Sequence, residues 1–474
     1  MKFSIKSAIF SAAVVGLVMP QYVNATNGAW LIGFGAKSRS MGGTGVADNR
    51  GGLAAAYNPA TMIDSGTRFD IGADIFIPPR TAKHESGTLG YTNEDSNQDI
   101  FLIPNMGGTY QWDEKMTFGF SFIGAGLKTE YAQNANSSSC RRVLANEVPG
   151  YENTFCPPTV FNAGGVPGVG LASSEAGVEL VQMQILPSIA YKVSEQHSIG
   201  ATLVMAASFF RAEGLQAFQT GDGGLGFAAG QGNLTNKNWD HSVGAGYRIG
   251  WFGKFMDERL RFGVNYSSRV WMDRFKQYEN LFAEQGDFDI PESYAVGIAF
   301  DFTPKITTTF DIQQINWSDV KSIGNPGPLA SDPNNFFPLC QPPRNTNECL
   351  LGADDGLGFG WEDQTVYKIG ANWDIDETWS VRAGWNYGKS PIRPSQVLFN
   401  ILAPATPEHH LTFGVGYELS ETIVIDGSFV YAFSNPISGP TVFPQGGGTI
   451  APGSTNASID MVQYSIGGAL GIKF

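Results

Sequence analysis

The stretch Tyr294–Phe302 reads YAVGIAFDF and alternates strictly in size and polarity. Tyr294, Val296, Ile298, Phe300 and Phe302 share one face of an extended chain. Ala295, Gly297, Ala299 and Asp301 share the other. Side chains alternate across a strand with period two, so one face is large and apolar and the other small or polar. A strand in the wall of a membrane barrel has this form, with lipid outside and a polar lumen inside. The C-terminus repeats it. Val462, Tyr464, Ile466, Leu470, Ile472 and Phe474 alternate with Gln463, Ser465, Gly467, Ala469, Gly471 and Lys473.

Fourteen segments of this kind lie between Phe69 and Phe474. They include Phe69–Ile77, Phe101–Trp112, Met116–Leu127, Val181–Val193, Trp239–Trp251 and Arg259–Trp271. The even number suits a bacterial single-chain barrel. Short polar turns join alternate pairs, such as Asp113-Glu114-Lys115, Thr303-Pro304-Lys305, Asp376-Glu377 and a longer one near Gly253–Glu258. The other connections are long and rich in Gly, Pro, Asn and Ser. Barrels keep short turns on the periplasmic side and long loops outside. The fold class expected is all-β: a transmembrane antiparallel barrel of about fourteen strands over residues 67–474. A barrel this wide cannot be filled by its own side chains, so its lumen holds water or a plug.

Composition agrees. Of 474 residues, 59 are Gly and 33 are Phe, and only 16% are charged. Few charges with many aromatics exclude a disordered chain. The formal charge of −14 argues against nucleic-acid binding. The N-terminus has the form of a secretory signal peptide over residues 1–25: Lys2 and Lys6, an apolar run from Ala8 to Met19, Pro20, then the small-residue site Val23-Asn24-Ala25. The apolar run is too short for a membrane helix.

Between the signal peptide and the first strand lies Thr26–Met62, rich in Gly and Ala, poor in charge and without strand alternation. Its backbone N–H and C=O groups need partners from a container. Residues 26–66 are therefore expected to form a hatch that plugs the lumen.

The chain resembles the FadL family of outer-membrane transporters, whose N-terminal hatch ends in Asn-Pro-Ala and plugs a fourteen-stranded barrel. The motif is Asn58-Pro59-Ala60 here. The similarity runs through the mature chain, in Leu186–Tyr191, in Ile290–Ser293 with Asn316-Trp317-Ser318, and in Trp379–Pro391. The resemblance implies outer-membrane uptake of hydrophobic compounds, long-chain fatty acids first, with aromatic hydrocarbons as the alternative substrate. It implies binding in the lumen, movement of the hatch and lateral exit through an inward kink in the wall. A kink needs glycine, a bulge or proline. Gly124 and Gly126 on the third strand offer one; Gly126 fits best by position, or is a small lumen-facing residue near the rim. Pro104 and Gly107, with Gly108, could interrupt the neighbouring second strand.

Trp30, Leu31, Ile32 and Phe34 are candidates for ligand contact, or pack the plug. Asn58-Pro59-Ala60 is expected to latch the plug against the wall near the third strand. Lys37, Arg39, Arg248 and Arg382 are candidate partners for an acidic ligand, or members of structural ion pairs. Outer-membrane lipids and lipopolysaccharide are the expected surroundings, the barrel-assembly machinery the expected reader of the strand ending in Phe474, and a monomer the expected state.

Cys140, Cys156, Cys340 and Cys349 fall as two close pairs in long loops. Four cysteines allow three connectivities. Pairing Cys140 with Cys156 and Cys340 with Cys349 closes the shortest loops, and export favours disulfides. Without a CxxC spacing a zinc site is disfavoured. No catalytic set, metal site or cofactor is read. Gly221–Gly226 fits GxGxxG but lies in a loop without a βαβ unit. Asp354-Asp355-Gly356 lacks the remaining calcium-ligand spacing. His409-His410 fits a rim position. A general porin would carry an open lumen and no apolar hatch, and an outer-membrane hydrolase would need a Ser/His or Asp/His set that cannot be assembled.

Overall fold

The computed structural model describes residues 27–48, 51–86, 90–97, 100–132, 175–215, 228–230, 232–327, 350–440 and 456–474. The signal-peptide segment, the four cysteines and the Gly221–Gly226 run lie outside these residues.

Antiparallel pairing runs from strand to strand and returns from the last to the first. The strands are β1 (Arg68–Ile77), β2 (Phe101–Gln111), β3 (Met116–Ala132), β4 (Glu175–Ile185 and Ser188–Lys192), β5 (His197–Glu213), β6 (Asp240–Phe255) and β7 (Leu260–Ser267 and Trp271–Met272). They continue as β8 (Ser293–Thr303), β9 (Ile306–Ile315), β10 (Gln364–Asp374), β11 (Trp379–Gly388), β12 (His409–Ser420), β13 (Ile423–Ala432) and β14 (Gln463–Lys473). Because β4 and β7 are each one strand in two pieces, the sheet's sixteen segments form fourteen strands. β1 pairs with β14 from Arg68↔Lys473 to Ile77↔Tyr464, which closes the barrel. Closure removes the open edges that hydrocarbon would leave without partners. Among the described residues, no helix is long and apolar enough to cross a membrane.

The alternation read in β8 is met. Tyr294, Val296 and Phe302 are exposed on the outer face, and Ala295 and Ala299 are buried on the inner. Trp112, Phe302, Trp373 and Trp379 lie outside near the short turns, and Trp239, Trp271, Tyr294 and Phe433 near the long loops. These are the two aromatic girdles of a membrane barrel. The short turns close on their own side chains. Asp113 Oδ1 accepts the N–H groups of Lys115 and Met116, each at 2.7 Å. Asp376 Oδ1 does the same for Thr378 and Trp379 at 2.8 Å. An Asp that bonds its own backbone two residues on is the chemistry of such turns.

Several boundaries differ from the sequence reading. β3 continues to Ala132, and β6 to Phe255, so the turn expected from Gly253 begins at Met256. Met256, Asp257 and Glu258 are all left-handed there. β4 starts earlier than Val181 and is broken at Leu186-Pro187, where a proline within a strand forces a bulge. β7 is broken at Ser268–Val270. Beyond the barrel, the strands Ile437–Pro440, Asn456–Met461, Arg80–Ser86 and Gly90–Asp95 form a second sheet. It prolongs β13, β14 and β1 above breaks such as Pro78-Pro79. Ile437, Ala457 and Ile459 of this sheet join an apolar core with Trp317, Trp361, Phe399 and Phe282, which roofs the barrel mouth.

Candidate substrate-binding site

Among the described residues of 27–65 regular structure is limited to short helical turns at Ala36–Arg39, Ala54–Ala56 and Pro59–Asp64 and the bridge Asn27↔Trp30. Lumen-facing side chains supply partners for their backbone. Asp311 of β9 accepts Gly45 N–H at 2.8 Å and Val46 N–H at 3.1 Å. Lys368 of β10 donates to the Ile32 carbonyl at 3.0 Å. Thr412 of β12 accepts from Gly42 N–H at 2.8 Å and donates to the Ser40 carbonyl at 2.9 Å. Arg39 is fully buried against Asp74 of β1, Nε to Oδ1 3.3 Å. A buried charge is retained only when paired in this way.

Wall glycines let the segment come close. A Cβ at Gly263 would lie 2.0 Å from the Val46 carbonyl oxygen, and one at Gly384 2.1 Å from Gly42 N. These are the small residues that alternate with the lipid-facing ones in the sequence.

Asn58-Pro59-Ala60 starts the turn Pro59–Asp64. Asn58 Oδ1 accepts Ala60 N–H at 3.1 Å, as an N-cap residue does, with Pro at the first position. Its Nδ2 donates to the Val46 carbonyl and, across to β6, to the Trp251 carbonyl, both at 2.9 Å. The Ala60 carbonyl accepts from Ser198 Oγ of β5 at 3.0 Å. The motif's hydrogen bonds therefore run to β5 and β6, while the turn that it opens reaches β3 through Met62, which lies over Gly119. The reason is glycine: Gly200 and Gly250 are the wall positions with no side chain to exclude it, and a Cβ at Gly250 would lie 1.9 Å from Asn58 Oδ1.

Trp30, Leu31, Ile32 and Phe34 all line one cavity of about 70 Å³ between the segment and the wall. Ile123, Gly124 and Ala125 of β3, with Ala295 and Ile315, continue its apolar side. Gln184, Arg248, Asn265, Asp311 and Lys368 form its polar side. Arg248 is tied to the carbonyl oxygens of Ala55 (3.1 Å) and Ala56. Tyr57 roofs the cavity, accepting Phe34 N–H and donating to the Phe34 carbonyl at 3.0 Å. Burial pushes its phenol well above the ordinary value. The cavity is smaller than the ~150 Å³ apolar void that holds a benzene.

β3 leaves β2 beside this cavity. Pairing between them starts at Gln111↔Thr117 and ends at Met106↔Phe122. Above that point β3 pairs only with β4, from Phe122↔Ile185 to Ala132↔Glu175. Phe101–Asn105 has ladder partners on β1 alone. Gly124 lines the cavity, and Gly126 has φ 153°, in the diverging part of β3. Pro104 lies on the unpaired edge. Gly107 does not: it pairs with Ser121, and its missing Cβ admits the Gly52 carbonyl oxygen, which a Cβ would approach to 2.3 Å. Leu31, with Phe34 beside it, packs on Phe76, Phe101 and Ile103 at the inner side of the gap.

Beneath the segment a polar vestibule of about 880 Å³ faces the short turns, lined by Lys37, Asp48, Arg261, Asp301, Asp374, Arg382 and Glu418 among others. Lys37 and Arg382 thus lie away from the cavity, and Arg382 is paired with Asp426. Among the four basic candidates, only Arg248 lines the cavity. Lys368, Asp311, Gln184 and Asn265 were missed in the sequence. Alternation marks them as lumen-facing but gives no height along the strand. His409 stacks on Tyr387 at the outer face, while His410 is buried in the lumen. No group of His, Cys, Asp and Glu that could hold a metal occurs among the described residues.

A closed fourteen-stranded barrel with its N-terminal segment held in the lumen defines an outer-membrane barrel protein with an obstructed bore. Residues 170–438, more than half of the chain, match the model for the outer membrane protein transport protein family (OMPP1/FadL/TodX), and the chain belongs to that family. It is therefore an outer-membrane protein of a family that transports hydrophobic compounds. In fold it is similar to the Pseudomonas putida toluene transporter TodX, at TM-score 0.64 and 17% identity over 93% of this chain and 99% of that one. It is similar to the Ralstonia pickettii toluene transporter TbuX, at TM-score 0.57 and 19% identity over 93% and 98%. It is also similar to a Pseudomonas aeruginosa FadL homologue, at TM-score 0.60 and 12% identity over 96% and 100%. A stretch of 57 residues is 46% identical to an uncharacterized protein of Chlorobium limicola, "in phosphoenolpyruvate carboxykinase gene 5'region", and spans 12% of this chain and 28% of that protein.

Proposed function

We propose that the protein takes up long-chain fatty acids: the ligand binds where Trp30–Phe34 meet the wall, residues 26–66 act as a movable hatch, and the ligand leaves sideways between β2 and β3. The observation that carries this reading is the unpaired stretch of wall beside the cavity. An unpaired edge in hydrocarbon is costly, so a wall that keeps one has a use for it. Two apolar clusters, one around Phe210 and Phe282 and one around Ile123, Leu186 and Val204, both pack on Trp30, so that movement of Trp30 would join them into one apolar lining. An acyl chain gains ~0.8 kcal/mol per buried CH₂ along such a lining. The polar vestibule below would oppose its passage, which favours exit through the wall.

Arg248 and Lys368 at the polar side of the cavity suit a carboxylate. Both are bound to hatch carbonyls, so a ligand anion would compete for them and loosen the hatch. The small volume of the closed cavity likewise requires Trp30–Phe34 to move. A second reading, uptake of monoaromatic hydrocarbons, has one thing in its favour: the likeness of the fold to TodX and TbuX, which are toluene transporters. The C-terminal strand, whose Phe474 is exposed and donates its N–H to the Thr67 carbonyl at 3.0 Å, suits reading by the barrel-assembly machinery.

The test is a cross-link between Ile103→Cys and Ala125→Cys across the gap, with uptake of oleate and of toluene measured in cells lacking other porters for them. The closed gap should abolish oleate uptake and reduction of the cross-link should restore it. Undiminished oleate uptake with the cross-link formed would refute lateral exit. Toluene uptake without oleate uptake in the uncross-linked protein would favour the second reading.

A further inference from the structure

The geometry points to Arg80 as the positioning residue of the side opening: its guanidinium spans the top of the gap between β2 and β3 and holds the strands apart. This assignment rests on the lateral-exit reading above. Arg80 follows the Pro78-Pro79 break and opens the strand Arg80–Ser86 above β1. It is buried, at 2% exposure. One arm of the guanidinium donates to the Lys128 carbonyl on the diverging part of β3. The other donates to Ser96 Oγ, 3.4 Å away, on the chain leading into β2. The cation lies over the ring of Phe101, the first residue of β2, 5.7 Å from its centroid.

Ser96 completes the tie. Its N–H donates to the Arg80 carbonyl at 2.9 Å, and its Oγ accepts Glu130 N–H at 3.2 Å. Asn97 N–H donates to the Glu130 carbonyl at 2.8 Å. The opening is thus bounded below by Met106↔Phe122 and above by this set of polar ties. Arg80 also lines a small cleft with Gly28, Ala29, Leu127 and Thr129, which places it beside the front of the hatch.

Arginine is suited to the place. A planar fork serves acceptors on two separate strands at once, whereas an ammonium is a point donor. Without the guanidinium the Lys128 carbonyl loses a charge-assisted partner in a buried site, which it must replace. The continuation of the lower ladder, Asn105 toward Ile123 and Ile103 toward Ala125, offers backbone donors on the edge that β2 leaves unpaired. The diverging arm of β3 is then expected to close onto β2.

Arg80→Ala in the full-length protein in outer membranes should lower oleate uptake roughly tenfold, the shift expected from one charge-assisted bond. Oleate binding to the purified barrel should be kept. Amide hydrogen exchange at residues 101–105 should slow as the gap closes, whereas simple loss of structure would speed it. Arg80→Lys should be intermediate in both. Wild-type uptake with unchanged or faster exchange at 101–105 overturns the assignment. If Arg80→Ala does not assemble, Ser96→Ala removes the shared acceptor of the same tie and should shift uptake and exchange in the same directions; wild-type behaviour there overturns the assignment too. The Ile103–Ala125 cross-link separates the two ideas. If it leaves uptake intact, lateral exit fails and Arg80's role with it. If it blocks uptake while Arg80→Ala does not lower it, only the assignment of Arg80 fails.

Discussion

Asp311 shows how single residues act in this lumen. Its Oδ2 accepts two successive N–H groups of the N-terminal segment, Gly45 and Val46, in a place where the backbone has no helix or ladder to satisfy it. Gly43, with φ 80°, turns the chain between Lys368 and Asp311, and a Cβ there would lie 1.9 Å from the Ile32 carbonyl oxygen. Outside the membrane, Asp287 in the connection from β7 to β8 behaves differently. Burial first, then Asp289 and Glu284, push its carboxyl up to about 6 from 3.8. The folded loop therefore binds the proton more tightly than the unfolded one. Its stability is fully present below about pH 4 and falls as pH rises through about 6. Amide protection factors across residues 273–292, taken relative to the intrinsic exchange rate at each pH, should be lower at pH 7 than at pH 4.5, and Asp287→Asn should flatten that dependence. A wild-type loop equally protected at both values would contradict the raised carboxyl.

At the scale of elements, the Asn58 turn and the unpaired stretch of wall lie at different heights, the turn low against β5 and β6 and the stretch above Met106↔Phe122. The latch is the Pro59–Asp64 turn with Asn58, fitted against Gly200 of β5 and Gly250 of β6. Gly250→Ala places a methyl where Asn58 Oδ1 now sits. Asn58 must then give up its bonds to Ala60, Val46 and Trp251, at roughly 1–3 kcal/mol for the buried groups left unpaired. Exchange of amides 51–65 should rise while the barrel keeps its heat-resistant mobility in detergent. Unchanged protection of that turn would show that the latch does not depend on the glycine. The gap is a property of β3, which follows β2 for six pairs and then follows only β4. Pro104 and the glycines at 124 and 126 announce a weak place in the sequence. That the whole stretch Phe101–Asn105 loses its second neighbour, and that Arg80 spans the top, could not be read there. Arg80 follows two prolines in a segment with no lumenal alternation to give it a facing.

At the scale of the whole molecule, the obstructed bore makes a prediction about current. The full-length protein in a planar bilayer should show only small, brief conductance. Deleting residues 26–34 removes the contacts of Trp30 with Trp317 and of Leu31 with Phe101, and should leave a folded barrel. That variant should lose most of its oleate uptake, since the deleted residues form one wall of the cavity. A large steady current from the intact protein would instead indicate a porin-like open lumen.

The barrel, its fourteen strands, the alternation of short turns with long loops and the need of one segment for a container were all legible in the residues alone. Period-two alternation is local, and a strand's facing is set by its own residues. Tertiary structure alone decided where the segment docks, which lumenal polar groups reach it and how far the wall stands open. Docking depends on the height at which a glycine on one strand meets a backbone atom from a segment some two hundred residues away. The Asn58 latch met Gly250 of β6 for that reason, and a period-two pattern carries no coordinate along the barrel axis.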